Sequence, residues 1–577
     1  MRRLTVFLLV VWFGVGCAHT SPSEQGVDLL LTNARIYSLD WSEPARDGTP
    51  AADAPVTNGR WHPDAGAVAM DDGKIVFVGT AAQAAARFDS VERVVDVNGA
   101  TVLPGLVDSH THFFELGVSL ERVQLRDVQT EQEAVARVVE RARNTPKGEW
   151  IIGDGWDEGA WADRYPTKTL LSDAVPDHPV FMVSLHSFAG WANQKALDVA
   201  GITAATTVPS GGEMRLGDDG QPNGLFLNNG VDLIEAAVPT PTQEQLMRYA
   251  KNGLAQMARD GYVTVHDAGL NSAHMRALNA LSENNELPIR VYAMLSARDE
   301  PLLRDWIARG PDLDARDFLV ARSVKAYYDG ALGSRGARLL EDYSDLPGHR
   351  GVSGDEYGFD ENLVADAMRA GFQVGIHAIG DAGNRETLDF IEGVLANDAG
   401  VRAGRHRIEH AQVLHPADLP RLAKLDVIAS MEPPHAMEDK TWAEDRLGPE
   451  RIKGAYAWRS LRQTGARLTF NADNPGSDHN IFYGLHSAVA RRDKAGKPGA
   501  GWYPNEGVTM EEALRAYTLW SAFAGFRETQ TGVIAPGRWA DLTVLSVDPF
   551  AAAQGRADEL LDGEIVMTIV NGKVVFE

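Results

Sequence analysis

The sequence predicts an α/β protein: a (β/α)8 barrel of the TIM type, a small β-sandwich formed from both chain ends, and an inserted subdomain. Short apolar runs alternate with helical stretches between residues 264 and 473, and such repeated alternation is typical of the barrel. Strand-like runs also fill both ends of the chain, for example at 74–78 and 541–546. Residues 115–230 are rich in Gly, Trp and Pro and fit the alternation poorly, so we predict an insertion that covers the barrel mouth.

These patterns divide the chain into segments. We assign a leader (1–17), the first part of the sandwich (27–100), the barrel (101–490, with the insertion at about 115–230), C-terminal barrel helices (491–530) and the second part of the sandwich (531–577). A chain of 577 residues is long enough for one large catalytic domain with attached pieces. A solitary small binding module is excluded.

The composition limits the classes of partner. A hydrophobic content of 44% and a charged content of 23% are ordinary for a soluble globular protein with a sizeable core. The net charge of -25, without any long Lys/Arg run, argues against a nucleic-acid partner, because phosphate binding needs a basic face. We therefore expect a small-molecule substrate. Nothing in the sequence indicates the oligomeric state.

The N-terminus predicts export. Arg2 and Arg3 precede an apolar run at 4–15, which is too short for a membrane-spanning helix but suits a signal peptide. Cys17, the only cysteine, follows small residues and resembles a bacterial lipoprotein cleavage site, although Gly14 stands where an aliphatic residue is usual. We expect an exported lipoprotein, attached to the membrane only by a lipid anchor. The alternative is a simple signal peptide with an incidental cysteine.

Two histidines close the apolar run that ends at residue 112. His110 and His112 are two residues apart, so in a strand both imidazoles can face one metal ion. Alone, this pair is a weak signal. It gains weight from later residues, each at the end of a strand-like run, where barrel enzymes place reactive groups: Lys325, His377, His410 and Asp473. Four histidines and a carboxylate suit an ion such as zinc.

Lys325 needs a separate explanation, because an ammonium group has no lone pair to donate to a metal ion. Carboxylated by carbon dioxide, the side chain becomes an anionic carbamate whose two oxygen atoms can bridge two ions. The alternative is an ordinary strand-end lysine that reaches solvent or pairs with Asp329. The residues alone favour that alternative.

The order of these residues, framed by β-rich chain ends, resembles the amidohydrolase superfamily. Finer matches point to its amidohydrolase-3, YtcJ-like branch, which includes N-substituted formamide deformylase. The resemblance covers nearly the whole chain from about residue 28. The matching motifs are GLVDSHTH (105–112), GYVTVHDA (261–268), VKAYYDGALGS (324–334), HAIGD (377–381), IEH (408–410) and PGRWADL (536–542).

The resemblance implies a centre of two divalent ions, with zinc as the first expectation and manganese, iron and cobalt left open. His110 and His112 would hold one ion, His377 and His410 the other, and a carboxylated Lys325 would bridge them. The implied activity is hydrolysis of a carbon–nitrogen bond in a small amide, N-acyl or N-formyl compound by metal-activated hydroxide. An esterase, lactonase or carbamate hydrolase, and a non-catalytic surface binding protein, are the alternatives.

The resemblance makes Asp473 both a metal ligand and the group that accepts a proton and returns it to the leaving amine. The family usually has Ser-Asp near the eighth strand, whereas this chain has Asn-Ala-Asp at 471–473. Asp478, which follows Ser477, looks more like the usual dipeptide. We keep Asp473, because it comes directly after the apolar run at 468–470.

Four weaker candidates surround the predicted centre. Glu432 stands where relatives commonly carry Gln, so it would favour a cationic or hydroxyl-bearing substrate; neutral drift is the alternative. His186 and His435 occupy positions that resemble substrate contacts, with a plain structural contact as the alternative for each. We expect Asp108 to orient a metal ligand from behind.

Overall fold

The structure is a computed structural model that describes residues 26–126, 128–157, 161, 165–184, 189–313 and 318–577. The predicted leader with Cys17, and the candidate His186, lie outside these residues. Within the described ranges, every helix is too short or too polar to cross a bilayer.

Eight parallel strands form one sheet in which each strand pairs with the next along the chain. The predicted barrel is therefore confirmed. Its strands are β1 (Leu106–Thr111), β2 (Tyr262–Leu270), β3 (Arg290–Ser296), β4 (Leu319–Tyr327), β5 (Gln373–Ala378), β6 (Arg407–His410), β7 (Ile428–Met431) and β8 (Arg467–Phe470).

The chain segment after β8 closes the barrel onto β1. The backbone N–H of Asp473 donates to the carbonyl of His110 at 3.0 Å, and that of His112 donates to the carbonyl of Asn474 at 2.8 Å. The seam between the first and last strands is thus held by residues just beyond β8.

Helices follow or separate these strands because apolar residues recur at helical spacing. The long helix Gln243–Arg259 begins at Thr242, which makes a capping box with Gln245, and it turns Leu246, Ala250 and Leu254 inward. The barrel helices are Phe113–Glu121, Gln243–Arg259, Ser272–Glu283, Glu300–Arg309, Gly354–Tyr357, Glu361–Arg369, Asp381–Asn397, Leu419–Leu425, Pro433–Asp439, Ala443–Arg451, Trp458–Thr464, Ile481–Ala490, Met510–Ala516 and Leu519–Ala524, with 3-10 turns at Ala399–Gly404, Ile452–Gly454 and Pro504–Glu506.

Both chain ends build the sandwich, as predicted. Its apolar interior joins residues from the two ends, such as Leu31, Met70, Leu542 and Ile569. One sheet contains Gly26–Thr32, Ala67–Asp71, Lys74–Gly79 and Ser90–Asp96; the other contains Arg35–Ile36, Thr101–Pro104, Leu542–Leu545, Ile565–Val570 and Lys573–Phe576. A hairpin (Val56–Thr57, Arg60–Trp61), helices Ala81–Arg87 and Pro549–Gln554, and the turn Ala557–Asp562 complete this part.

The sandwich reaches past the predicted boundary at residue 100. Strand Thr101–Pro104 pairs antiparallel with Leu542–Leu545. The apolar run at 101–111 therefore supplies a strand to the sandwich first and then β1 to the barrel. A buried ion pair also fastens the two parts together: Arg290 donates to Asp541 at 2.7 and 3.1 Å.

The insertion forms a six-stranded sheet of its own. Its large tryptophans, including Trp156 and Trp191, lie in the core of this subdomain. Its strands are Val123–Gln124, Ile151–Trp156, Val180–Ser184, Ala189–Ala192, Gly212–Leu216 and Pro222–Asn228, and its helices are Glu131–Asn144, Lys168–Ala174, Gln194–Ala200 and Asp232–Glu235.

Two glycines allow the helix after β1 to touch the helix before β2. A Cβ atom at Gly253 would overlap the carbonyl of Phe113, and one at Gly117 would overlap the carbonyl of Tyr249. Only glycine permits so close a backbone approach. The two helices are therefore in direct backbone contact beside β1 and β2.

We expect Gly253→Ala to lower the free energy of unfolding by about 1–3 kcal/mol, the usual cost of an extra methyl group in a packed contact. Gly393→Ala is the matched control, because Gly393 is an exposed helical residue with open space where a Cβ would lie, and alanine favours a helix by up to about 1 kcal/mol. Urea unfolding followed by circular dichroism measures both. Equal midpoints for the two variants would contradict the close contact.

Candidate metal centre

The carboxyl ends of the barrel strands bring the six predicted residues into one cluster. Donor atoms of His110, His410 and Asp473 all lie within 4.8 Å of one another. The ring centroids of His377 and His410 are 4.5 Å apart, and those of His110 and His112 are 5.4 Å apart. Residues from β1, β4, β5, β6 and the segment after β8 therefore converge.

Asp473 sits between the two histidines of β1. Its Oδ1 lies 3.4 Å from Nε2 of His110 and 3.2 Å from Nε2 of His112. Burial raises the pKa of Asp473, but the neighbouring histidines outweigh it and hold that pKa well below its usual value. Asp478, in contrast, lies on the outer loop and pairs with Lys494. The structure places Asp473, and not Asp478, beside the histidines.

Two of the site residues have left-handed backbone. His410 has φ of 76° and Asp473 has φ of 49°, a conformation that L-residues rarely adopt and that costs on the order of 1–3 kcal/mol each. Both residues follow or end a strand, so the turn redirects the chain at the barrel mouth. Strain of this kind clusters at functional sites, where surrounding structure maintains it.

Lys325 lies inside β4 and is almost fully buried. Its Nζ is 3.0 Å from Nε2 of His110. The pairing with Asp329 is not observed, because that carboxylate accepts backbone N–H groups of Arg338, Ile379 and Gly380 at 2.8 to 2.9 Å. Burial lowers the pKa of Lys325, against the opposing charge of nearby carboxylates.

Glu409, buried beneath the centre, links His110 to the barrel interior. Its Oε2 lies 2.7 Å from Nδ1 of His110, and its Oε1 accepts from Nε of Arg407 at 2.7 Å. Arg407 also donates to the carbonyl of Ser109 at 2.7 Å and lies 3.0 Å from Nδ1 of His266. Burial opposes ionisation of Glu409, but Arg407 and His110 hold its pKa well below the usual value.

Sequence reasoning missed Arg407, Glu409 and His266 as members of the site. Glu409 lies within the IEH motif, so its place beside a ligand histidine was the available signal. His266 lies within the GYVTVHDA motif (261–268) and carried the same kind of signal. Arg407 lies outside the matching motifs and looks like an ordinary strand residue until the barrel closes.

Asp108 acts on the backbone of His110. Its Oδ1 accepts the backbone N–H of His110 at 3.0 Å, and burial raises its pKa to about 7. Asp267 makes a similar contact on the neighbouring strand, accepting the backbone N–H of Phe113 at 2.9 Å. The two carboxyl groups thus fix the chain on either side of His112.

Glu432 and His435 lie on the far side of His410. Glu432 is buried, with Oε2 at 3.2 Å from Nδ1 of His410 and 3.6 Å from Nδ1 of His435. Burial opposes its ionisation, but the two histidines lower its pKa to about 2. Burial also lowers the pKa of His435, but Glu432 outweighs it and raises that pKa to about 9. Their predicted role as substrate contacts stays a prediction.

The cluster fits a divalent metal ion. Burial lowers the pKa of His110 to about 4, and burial lowers that of His377 well below its usual value. Both rings are therefore neutral and keep a lone pair, and Nε2 of His377 has no hydrogen-bond partner among the described residues. Imidazole nitrogens with a carboxylate are the donor set of zinc-type sites.

A cavity of about 710 Å³ lies at the same edge of the barrel. This volume suits a small molecule. The cavity wall combines apolar residues with polar ones, and the insertion contributes Gln124, Arg126 and Asp154 to it. Its lining includes Phe114, Val118, Leu246, Tyr249, His274 and Pro475.

A family comparison agrees with this geometry. Residues 93–576 match the Amidohydro_3 model of the Amidohydrolase family. The chain belongs to this family. The match includes all eight barrel strands and the C-terminal part of the sandwich, so the whole candidate centre lies within it.

Three curated relatives align with most of the chain. The amidohydrolase YtcJ of Bacillus subtilis is 31% identical, over 89% of this chain and 96% of its own. Protein LONG AFTER FAR-RED 3 of Arabidopsis thaliana is 30% identical, over 96% and 93%. N-substituted formamide deformylase of Arthrobacter pascens is 27% identical, over 95% and 98%. The YtcJ-like resemblance predicted from the motifs is confirmed.

Solved structures show the same fold. A metal-dependent hydrolase from Pyrococcus horikoshii superposes with a TM-score of 0.70 at 26% identity, covering 92% of this chain and 99% of its own. One from Pyrococcus furiosus gives the same TM-score and identity over 90% and 99%. The amidohydrolase chain thus has the architecture of metal-dependent hydrolases.

We expect Glu409→Gln to weaken metal binding roughly 10- to 100-fold, the usual effect of losing a carboxylate that orients a ligand histidine. Glu512→Gln is the matched control, because Glu512 is equally buried and pairs with Arg459 and Arg462 but lies outside the cluster. Competition with a chromogenic chelator measures the affinity, and thermal unfolding reports any general loss of stability. Equal affinities in the two variants would contradict the role of Glu409.

Proposed function

We propose that this amidohydrolase cleaves a carbon–nitrogen bond of a small amide, N-acyl or N-formyl compound with two divalent ions of the zinc type. The observation that carries the proposal is the convergence of the ligand-type residues at the carboxyl end of one barrel. The formamide deformylase similarity supports carbon–nitrogen specificity.

We assign the first ion to His110 and His112 and the second to His377 and His410. Ions held there supply a water of lowered pKa and a polarised carbonyl group. The protein contributes the orientation: Glu409 holds the ring of His110, and Asp108 holds its backbone. The lowered pKa values of His110 and His377 support this assignment, because a neutral ring keeps a lone pair for the ion.

We assign a carboxylated Lys325 to the bridge between the ions. An uncharged amine can add to carbon dioxide, forming an N–C bond and releasing one proton to solvent. The burial of Lys325 supports this step, because burial lowers its pKa and favours the neutral amine. No described carboxylate forms an ion pair with it that would keep it an ammonium ion.

We assign the proton transfer to Asp473. Its carboxylate is ionised at neutral pH, since its pKa is held well below the usual value, so it can take a proton from the attacking water. Returned to the leaving nitrogen, the same proton allows the amine to depart, so one residue serves as base and then as acid. Hydrolysis of an ester would release an alcohol in place of the amine, and a product assay detects this difference.

Asp473→Asn is expected to lower kcat roughly 10²- to 10⁴-fold while secondary structure stays unchanged, because the amide cannot accept the proton. Lys325→Ala is expected to lose bound metal as well as activity. The assay measures free amine released from a panel of N-formyl and N-acyl amines, alongside metal content by mass spectrometry.

Asp478→Asn is the matched control, since it makes the same change on the outer loop, and it should keep full activity. If Lys325→Ala retained two metal ions and full activity, the bridging assignment would be wrong. Turnover of esters or lactones without any amide turnover would point to the alternative hydrolase, and absence of all turnover in metal-loaded protein to a binding role.

We also propose that the chain is exported and anchored through a lipid on Cys17. The support is the sequence pattern of the leader alone. Expressed in a bacterial host, the wild type should incorporate labelled palmitate and fractionate with membranes, whereas Cys17→Ala should do neither. Palmitate labelling of both proteins, or of neither, would refute the anchor.

A further inference from the structure

Glu409 and Glu432 each face a ligand histidine of the centre, and they do so differently. Glu409 lies 2.7 Å from both His110 and Arg407, so each oxygen has a partner at the distance of a charge-assisted hydrogen bond. This is the geometry of a carboxylate that orients a ligand without binding metal.

Glu432 has a different geometry. Its Oε2 is 3.2 Å from His410 and 3.6 Å from His435, which is longer than the 2.7–2.9 Å typical of charge-assisted hydrogen bonds. Its Oε1 is buried and has no hydrogen-bond partner within the part of the chain that the structure describes. A buried carboxylate with an unused oxygen calls for a further partner.

The longer separations match those between ligands of one ion. With bonds of about 2.0–2.2 Å in a tetrahedral site, neighbouring ligand atoms lie about 3.4 Å apart. The main centre shows the same spacing, because Asp473 lies 3.4 Å from His110 and 3.2 Å from His112. Glu432 therefore resembles a ligand in its spacing, whereas Glu409 does not.

We propose that Glu432, His435 and Nδ1 of His410 form a further divalent-metal position beside the main centre. Their donor atoms lie within 4.8 Å of one another. Two histidines and one carboxylate are the protein ligands of open zinc sites, and His435 is 18% exposed, so the position has access to solvent. The proposal rests on the proposed function only through the shared residue His410.

If His410 binds one ion of the main centre and the additional ion, its ring must lose one proton. Its two ring nitrogens are distinct donor atoms, and Nδ1 faces Glu432 while the ring also neighbours His377. Bound at both nitrogens, the ring is an imidazolate, and its N–H proton passes to solvent. His435 likewise gives its Nδ1 proton to solvent. Repulsion from the neighbouring ions makes this position the last to fill.

The test counts zinc equivalents in the purified full-length chain. After dialysis against a zinc buffer, the wild type should hold one more equivalent than His435→Asn and one more than Glu432→Gln. Two variants are needed in case one of them folds poorly, which thermal unfolding detects. His479→Asn is the matched control, because His479 pairs with Asp260 at 2.8 Å outside the cluster; it should bind as many ions as the wild type.

Cobalt gives a second readout, since the additional tetrahedral ion should add visible absorption to the wild type that both variants lack. Equal zinc counts in the wild type and His435→Asn would overturn the proposal and leave Glu432 as a residue that only orients His410. The count is independent of turnover. A chain that releases no amine but shows the one-ion difference would contradict the proposed function alone, and the reverse result would contradict only the additional position.

Discussion

The buried ion pair of Arg407 and Glu409 connects the barrel interior to the metal centre. Arg407, together with His110, keeps Glu409 ionised in this dry environment, and removing one partner of a buried ion pair costs about 3–5 kcal/mol. Arg407 also holds the carbonyl of Ser109, the residue before His110. The position of the first ligand histidine therefore depends on charges that lie wholly inside the barrel.

This dependence explains why so many ionisable groups are tolerated at one end of the core. Each buried carboxylate near the centre has its own means of compensation: Glu409 has Arg407, Asp473 has two histidines, and Asp329 has three backbone N–H groups. Glu432 and Asp108 each have one oxygen without a hydrogen-bond partner among the described residues. Buried polar groups need partners for every atom, and Glu432 differs from Asp108 in that its other oxygen faces two histidine side chains.

The architecture and the six central residues could be predicted because their signals are local. Strands alternate with helices, and residues such as His377 and Asp473 come at or just after strand ends. The interior charges could not be found in this way. His266 meets Arg407 across 141 positions of sequence, a contact that exists only after the sheet closes.

The boundary between the sandwich and the barrel could not be predicted accurately, because it too depends on contacts between distant parts of the chain. The apolar run at 101–111 reads as one strand, but Thr101–Pro104 belongs to the sandwich and Leu106–Thr111 to the barrel. The pairing partner decides the assignment, and Leu542–Leu545 lies more than 400 positions away. The choice between Asp473 and Asp478 was easier, because only Asp473 comes directly after the apolar run of β8.

The segment that closes the barrel also carries Asp473. The hydrogen bonds from Asp473 to His110 and from His112 to Asn474 are at once the last rungs of the sheet and the supports of the ligand cluster. Local opening of these hydrogen bonds would separate the β1 histidines from Asp473 at the same time as it opens the barrel. Amide protons of these residues should then exchange together with those of β8. The closed barrel and the ligand cluster would therefore be lost as one cooperative unit.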